Sequence, residues 1–117
     1  MNKEKPYNKD NWNCYSLLLE YYPQLSIDKK YKSVRENKRS FQEGIQELQD
    51  VIEEIPEPEE KCAVLMNGYH VGVFINNKVI HNDINQGTAT EPLYKLRYKY
   101  NVIQYYRIHD KATNDNS

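Results

Sequence analysis

The chain has 117 residues with 28% charged residues and a formal net charge of -1, which fits one compact domain with a single core. This balance excludes the basic excess of nucleic-acid-binding proteins, and no apolar run is long enough for a signal peptide or a membrane span. Two cysteines without an export signal predict free thiols rather than a disulfide framework. We therefore expect a protein made in the cytoplasm, with one domain over residues 1–109 and a disordered tail over residues 110–117.

The first predicted element is a buried helix. Asn13 is a favourable N-cap residue, the stretch from Cys14 to Tyr22 is apolar on nearly every side, and Pro23 ends it. A helix that is apolar all round packs inside a core. The pattern thus predicts a central helix with Cys14 in its first turn.

A second helix is predicted to begin at Ser40. Ser40 and Glu43 have the capping-box spacing, and Pro56 ends the segment. Apolar residues recur between these limits at helical spacing: Phe41, Ile45, Leu48, Ile52 and Ile55.

The chain after this helix predicts an antiparallel meander. The apolar run Cys62–Met66 and the strand Tyr69–Ile75 are joined by Asn67-Gly68, a favoured hairpin turn. Asn76-Asn77 predicts a second tight turn before a strand at Lys78–His81.

The last third of the chain is predicted to hold a loop, a short helix and further strands. The loop spans Asn82–Thr90, the helix runs from Thr90 to Leu96 with Pro92 in its first turn, and strands follow within Arg97–Ile108. Helices first and a sheet afterwards predict an α+β fold, with N-terminal helices packed on an antiparallel sheet.

The tight turn at Asn76-Asn77 predicts histidines on one face of a hairpin. With two residues in the turn, Gly72 faces His81 and His70 faces Asp83, and residues of like parity share a face. Diagonal neighbours reach each other across such a pair, and Gly72 leaves space between the two imidazoles. The other face is apolar and is expected in the core: Val71, Val73 and Ile75.

Cys14 and the histidines together have the residue types of a thiol catalyst. A helix N-terminus lowers a thiol pKa from about 8.5, although a cysteine in an apolar helix is by itself more often a small buried hydrophobe. A base held by a third residue is the logic of a catalytic triad. Zinc is the rival for Cys and His residues, but the chain has no C-x-x-C or H-x-x-x-H pair. We therefore expect no metal and no cofactor.

These segments resemble a known family. Asn-Trp-Asn-Cys14-Tyr-Ser-Leu-Leu-Leu resembles the D-C-x-G-L-V segment that carries the nucleophile of NlpC-like cell-wall cysteine peptidases. His70-Val-Gly-Val-Phe-Ile, followed by Lys78-Val-Ile-His81, is similar to that family's H-V-G-I-Y-I strand and the next strand, which ends in histidine. Pro6-Tyr7 and Tyr105-Tyr106-Arg107 are similar to elements of its phage tail-associated branch.

The resemblance implies a papain-like fold and cleavage of peptide bonds in bacterial peptidoglycan. It implies Cys14 as the nucleophile, His70 as the base and His81 as the residue that orients His70, with Tyr7 supporting the oxyanion. The sequence leaves open whether His81 or Asp83 orients His70, because both depend on the assumed turn. Peptidoglycan peptides and phage tail proteins are the implied partners, with no nucleic acid and no membrane.

Two other functions fit the same sequence. One is a catalytically silent structural or assembly protein of a phage tail, since a virion component needs no export signal. The other is a thiol hydrolase or acyltransferase that acts on a host protein. Asn13 and Ser16 stand where the family usually has Asp and Gly, which leaves the substrate undetermined.

Overall fold

An antiparallel sheet of six strands dominates the structure, a computed structural model that describes residues 14–23, 25, 44 and 50–109. In chain order its elements are α1 (Cys14–Tyr21), β1 (Ile52–Ile55), β2 (Ala63–Met66), β3 (His70–Ile75), β4 (Lys78–Asp83), β5 (Gly87–Pro92), α2 (Leu93–Lys99) and β6 (Ile103–Ile108). The strand order is β1-β6-β2-β3-β4-β5. Strands β2 to β4 form the start of the expected meander, β5 extends it by one strand that was not predicted, and β6 returns to lie between β1 and β2.

The predicted α+β, papain-like class with N-terminal helices on a sheet is wrong. The described residues form mostly sheet, with two short helices, and one of these follows β5. Ile52 and Ile55 show why the pattern misled: they pair with Ile108 and Tyr105 of β6 and pack into the cores on opposite sides of the sheet. A short strand that buries only its first and last residues, one on each face, has the i, i+3 apolar spacing of a helix. Gly44 is helical, and the rest of the predicted second helix up to residue 49 lies outside the described residues.

Helix α1 confirms the predicted buried helix. Its residues Cys14 to Leu18 are buried, and it packs against β3 and β4. Val71 and Val73 belong to the same apolar cluster, so the predicted core face of β3 is also confirmed. Asn13, the expected N-cap, lies outside the described residues.

The hairpin of β3 and β4 has the predicted register. Ile75 pairs with Lys78 and Gly72 with His81. Asn76 and Asn77 have φ angles of 51° and 65°, the left-handed conformation that a tight hairpin turn requires. The turn before β3 is one residue longer than expected, because Met66 pairs with His70.

The chain after β4 differs from the prediction. Residues 87–92, expected mainly as a loop, form the edge strand β5, which pairs with β4 along its whole length. Helix α2 then extends to Lys99, so the last strand begins at Ile103 rather than near Arg97. The polar sequence Gly-Thr-Ala-Thr-Glu-Pro concealed this strand because an edge strand need not bury a continuous apolar face.

The two described helices pack on opposite faces of the sheet. Residues of α1 join one apolar cluster with Val71, whereas Leu93 and Leu96 of α2 join a second cluster with Val79. Neither helix in the described part of the chain is long and apolar enough to cross a membrane. Cys14 and Cys62 are both free and buried, as the sequence predicts. The predicted tail over residues 110–117 lies outside the described residues.

Candidate functional site

A pocket at one end of the sheet brings Cys14 and His70 together. It lies where β3 begins and β4 ends, and its lining consists of Cys14, Tyr69, His70, Asn82, Asp83, Ile84 and Tyr100. Cys14 comes from the first turn of α1, and His70 is the first residue of β3. The helix and the strand thus contribute the predicted nucleophile and the predicted base to one cavity.

The thiol of Cys14 is buried and neutral at rest. Burial raises its pKa, and hydrogen bonds with the backbone of Val71, Cys14 and Tyr15 lower it to a smaller extent. The bond to Val71 places the sulfur beside the residue that follows His70. The helix terminus therefore does act on the thiol as predicted, but burial outweighs it, and the expected resting thiolate is not favoured.

The imidazole of His70 is held between two rings. Its Nε2 lies 2.8 Å from Nδ1 of His81, and the two rings meet edge to face at 84°. Tyr100 stacks on His70 with ring centroids 5.8 Å apart. Burial, and next the neighbouring His81, lower the pKa of His70 to about 4. The imidazole is therefore neutral near pH 7, the form that can accept a proton.

His81, rather than Asp83, makes the hydrogen bond to His70. Asp83 Oδ2 accepts hydrogen bonds from the backbone N–H groups of Asn85 and Gln86 and so holds the turn before β5. Its carboxylate is near enough to raise the pKa of His70. The geometry thus favours His81 in the alternative that the sequence leaves open, and the catalytic roles stay predictions.

Glu91, which the sequence does not predict as a site residue, contacts the far side of His81. Glu91 Oε2 lies 2.8 Å from His81 Nε2, and Lys99 Nζ donates to Glu91 Oε1 at 3.2 Å. The register pairs His81 with Ala89 and Val79 with Glu91, so Glu91 is the diagonal neighbour of His81. Strand β5, which the sequence predicts as a loop, places Glu91 on the same face as the histidines.

A divalent cation is the other use for this cluster. His70, His81 and Asp83 have ligand atoms within 4.8 Å of one another. However, two nitrogens on a tetrahedral zinc ion, each about 2.0–2.1 Å from the metal, lie about 3.3 Å apart. The 2.8 Å between His70 Nε2 and His81 Nδ1 fits a hydrogen bond with a shared proton better. The spacing therefore favours a hydrogen-bonded pair of imidazoles over two ligands of one zinc ion.

The absence of a side chain at Gly72 leaves room for the side chain of His81 on the neighbouring strand. A Cβ atom at Gly72 would lie 2.7 Å from Val79 Cγ1, 2.8 Å from the Ile80 carbonyl oxygen and 3.1 Å from His81 Cβ. We expect Gly72→Ala to lower the free energy of unfolding by about 1–3 kcal/mol through overpacking. Urea unfolding measures this, with Thr90→Ala at an exposed position of β5 as the control. Equal stability of the two variants would contradict the close packing.

Tyr7, the predicted oxyanion residue, lies outside the described residues, so the described site consists of Cys14, His70, His81 and the neighbours named above. Comparisons of the chain with protein-family models, with curated proteins and with solved structures found no match.

Proposed function

We propose that the protein is a thiol hydrolase of the cysteine-peptidase type that cleaves an amide bond in peptidoglycan peptides. The observation that carries the proposal is the pocket shared by Cys14 and His70, in which the second nitrogen of His70 is hydrogen-bonded to His81. A nucleophile, a base and a residue that orients the base are the parts that such a reaction needs.

The reaction begins from a neutral thiol and a neutral imidazole. As the Cys14 sulfur attacks the amide carbonyl, His70 takes the thiol proton, and a tetrahedral oxyanion forms. The backbone N–H of Cys14 is the proposed donor to this oxyanion, an interaction worth roughly 3–4 kcal/mol. His70 then gives its proton to the leaving amine, and water hydrolyses the thioester to release the acid and restore the thiol.

Two carboxylates near His70 partly offset the cost of the imidazolium that this step creates. The carboxylates of Asp83 and Glu91 both raise the pKa of His70, whereas burial and His81 lower it. A positive charge on His70 is therefore unfavourable in the free enzyme, and it forms only when the thiol proton is transferred during the reaction. With a base of pKa about 4 and a thiol whose pKa is raised by burial, Cys14 stays protonated at neutral pH before substrate binds.

The choice of peptidoglycan as substrate rests on the sequence resemblance of the Cys14 segment and of the two histidine strands. The pocket adds an apolar rim, since Tyr69 and Ile84 line it and are 56% and 72% exposed. Such a rim suits the side chains of a short peptide on either side of the cleaved bond. Association with a phage tail is the setting that the same resemblance suggests.

Incubation of the full chain with purified muropeptides tests this function. Mass spectrometry should find two product peptides, and rapid acid quenching should trap an acyl group on Cys14. Addition of EDTA should leave the rate unchanged, because no step uses a metal. Activity that EDTA removes and zinc restores would instead assign His70 and His81 to a metal site.

Inactivity toward all muropeptides would contradict the substrate class. A mass increase on host proteins, after exposure to the same preparation, would redirect the thiol chemistry to a protein substrate. Normal binding to tail components with no acyl group on Cys14 under any condition would identify a structural protein.

A further inference from the structure

A line of three polar side chains crosses neighbouring strands behind the pocket. His70 in β3, His81 in β4 and Glu91 in β5 are diagonal neighbours on one face of the sheet. The residues directly opposite His81 are the small Gly72 and Ala89, one on each side. The two small residues leave room for both diagonal contacts, which each measure 2.8 Å.

The carboxylate at the end of this line fixes where the protons lie. An ionised carboxylate only accepts hydrogen bonds, so the bond between Glu91 and His81 requires a proton on His81 Nε2. In the neutral form of His81 this is the only N–H of the ring, so Nδ1 is an acceptor. With His81 in that form, His70 donates through Nε2–H, and its own Nδ1 keeps a free lone pair.

Glu91 is built to stay ionised. Burial raises the pKa of its carboxyl, but hydrogen bonds from His81 and Lys99 and the positive charge of Lys99 together lower it by more, so the net shift is downward. Lys99 Nζ contacts both carboxylate oxygens, at 3.2 Å and 3.4 Å. The ion pair joins the end of α2 to the edge strand and holds the acceptor in front of His81 Nε2.

We propose that Glu91 is a positioning residue that acts through His81 to keep the proton of His70 on Nε2, so that His70 Nδ1 is the base for the Cys14 thiol. This inference rests on the proposed function for its effect on turnover, while the proton positions can be measured without any substrate. A purely structural carboxylate would stabilise β5 but would not set the tautomer of a ring two strands away.

Other charged and titratable groups around His70 must be accounted for in any pH-dependent measurement. Those that line its pocket or act on its pKa are Cys14, Tyr69, His81, Asp83, Glu91, Lys99 and Tyr100. Among these, Glu91 is the carboxylate that contacts the outer nitrogen of His81. Substitution of Glu91 therefore changes the acceptor at the end of the line and leaves Asp83 in place.

The test is a two-bond ¹H–¹⁵N correlation spectrum of the histidines at pH 7.5. In the wild type, His70 and His81 should both show the Nε2–H tautomer. Glu91→Leu should give averaged nitrogen shifts in both rings, with His70 protonated on Nδ1 in at least a tenth of the molecules. Glu91→Gln keeps an acceptor oxygen and should restore most of the wild-type pattern, and Glu54→Gln on the opposite edge strand serves as the charge-matched control.

Turnover provides the second measurement. Glu91→Leu should lower kcat roughly tenfold or more with little change in KM, and Glu91→Gln should recover part of the loss. Wild-type tautomers in Glu91→Leu, or protons on Nδ1 in the wild type, would overturn the inference even if the enzyme is active. Failure of the proposed function looks different: no variant would turn over substrate, while the Glu91-dependent tautomers would still be observed.

Discussion

Replacement of Cys14 by Ser should lower kcat/KM on a cleaved muropeptide by roughly 10⁴-fold or more, because removal of a nucleophile that acts together with its base removes the covalent pathway. Serine has almost the same shape as cysteine, and its hydroxyl is a far weaker nucleophile next to a base whose pKa is about 4. Because Cys14 is buried and a buried hydroxyl can cost stability, circular dichroism should first establish the folded fraction of the variant. Steady-state kinetics with mass-spectrometric detection of products measures the loss.

Cys62→Ser is the matched control for this experiment. Cys62 is also free and buried, but it packs in the cluster with Val64 and Phe74 rather than lining the pocket. This variant should retain turnover within a few-fold after correction for its folded fraction, which circular dichroism provides. Equal activity of Cys14→Ser and Cys62→Ser would exclude Cys14 as the nucleophile.

Acidification from pH 6.5 to about pH 4 should lower the free energy of unfolding by about 3 kcal/mol through His70. The folded-state pKa of His70 is about 4, against 6.5 as its ordinary value. Below pH 6.5 this histidine is protonated in the unfolded chain but not in the folded protein. The free energy of unfolding therefore decreases as the pH is lowered, until the folded state is protonated as well near pH 4. His70 is only 8% exposed, so solvent screens little of this effect.

Urea unfolding at half-unit intervals between pH 7 and pH 4 measures this decrease. His70→Gln should remove most of it, since glutamine does not titrate. Glu91 also has a lowered pKa, but its contribution to the free energy of unfolding is lost mainly below pH 4.5, its ordinary pKa. The decrease between pH 6.5 and pH 5 is therefore expected to come from His70. The same slope in wild type and His70→Gln would mean that burial does not lower the pKa of His70.

The sequence predicts the parts of this site that depend on local pattern. Asn76-Asn77 identifies a tight turn, and the turn alone determines that Gly72 faces His81. The apolar stretch from Cys14 predicts α1 and the place of the thiol in its first turn. These features depend on residues close in sequence, for which turn geometry and apolar spacing are reliable signals.

What the sequence does not predict depends on pairing between distant segments. Strand β1 is recognisable only from β6, which pairs with it, and its Ile52 and Ile55 alone favour a helix. Strand β5 is polar and lies at the edge of the sheet, so nothing local marks it. Glu91 was missed for this reason. The neutral state of Cys14 also escapes the sequence, because burial is a property of the packed chain.

Because His70, His81 and Glu91 lie on three successive strands, β3, β4 and β5, a change of one residue in either connecting turn would separate them. The three side chains point to the same face of the sheet because the lengths of the two connecting turns place residues 70, 81 and 91 at positions of the same orientation. One residue gained or lost in the turn at residues 76–77, with the hydrogen-bond ladder re-formed, would move His81 to the side of the sheet that α1 covers. In homologous chains that keep the activity, insertions between residues 70 and 91 should therefore add an even number of residues, or form a β-bulge that restores the register.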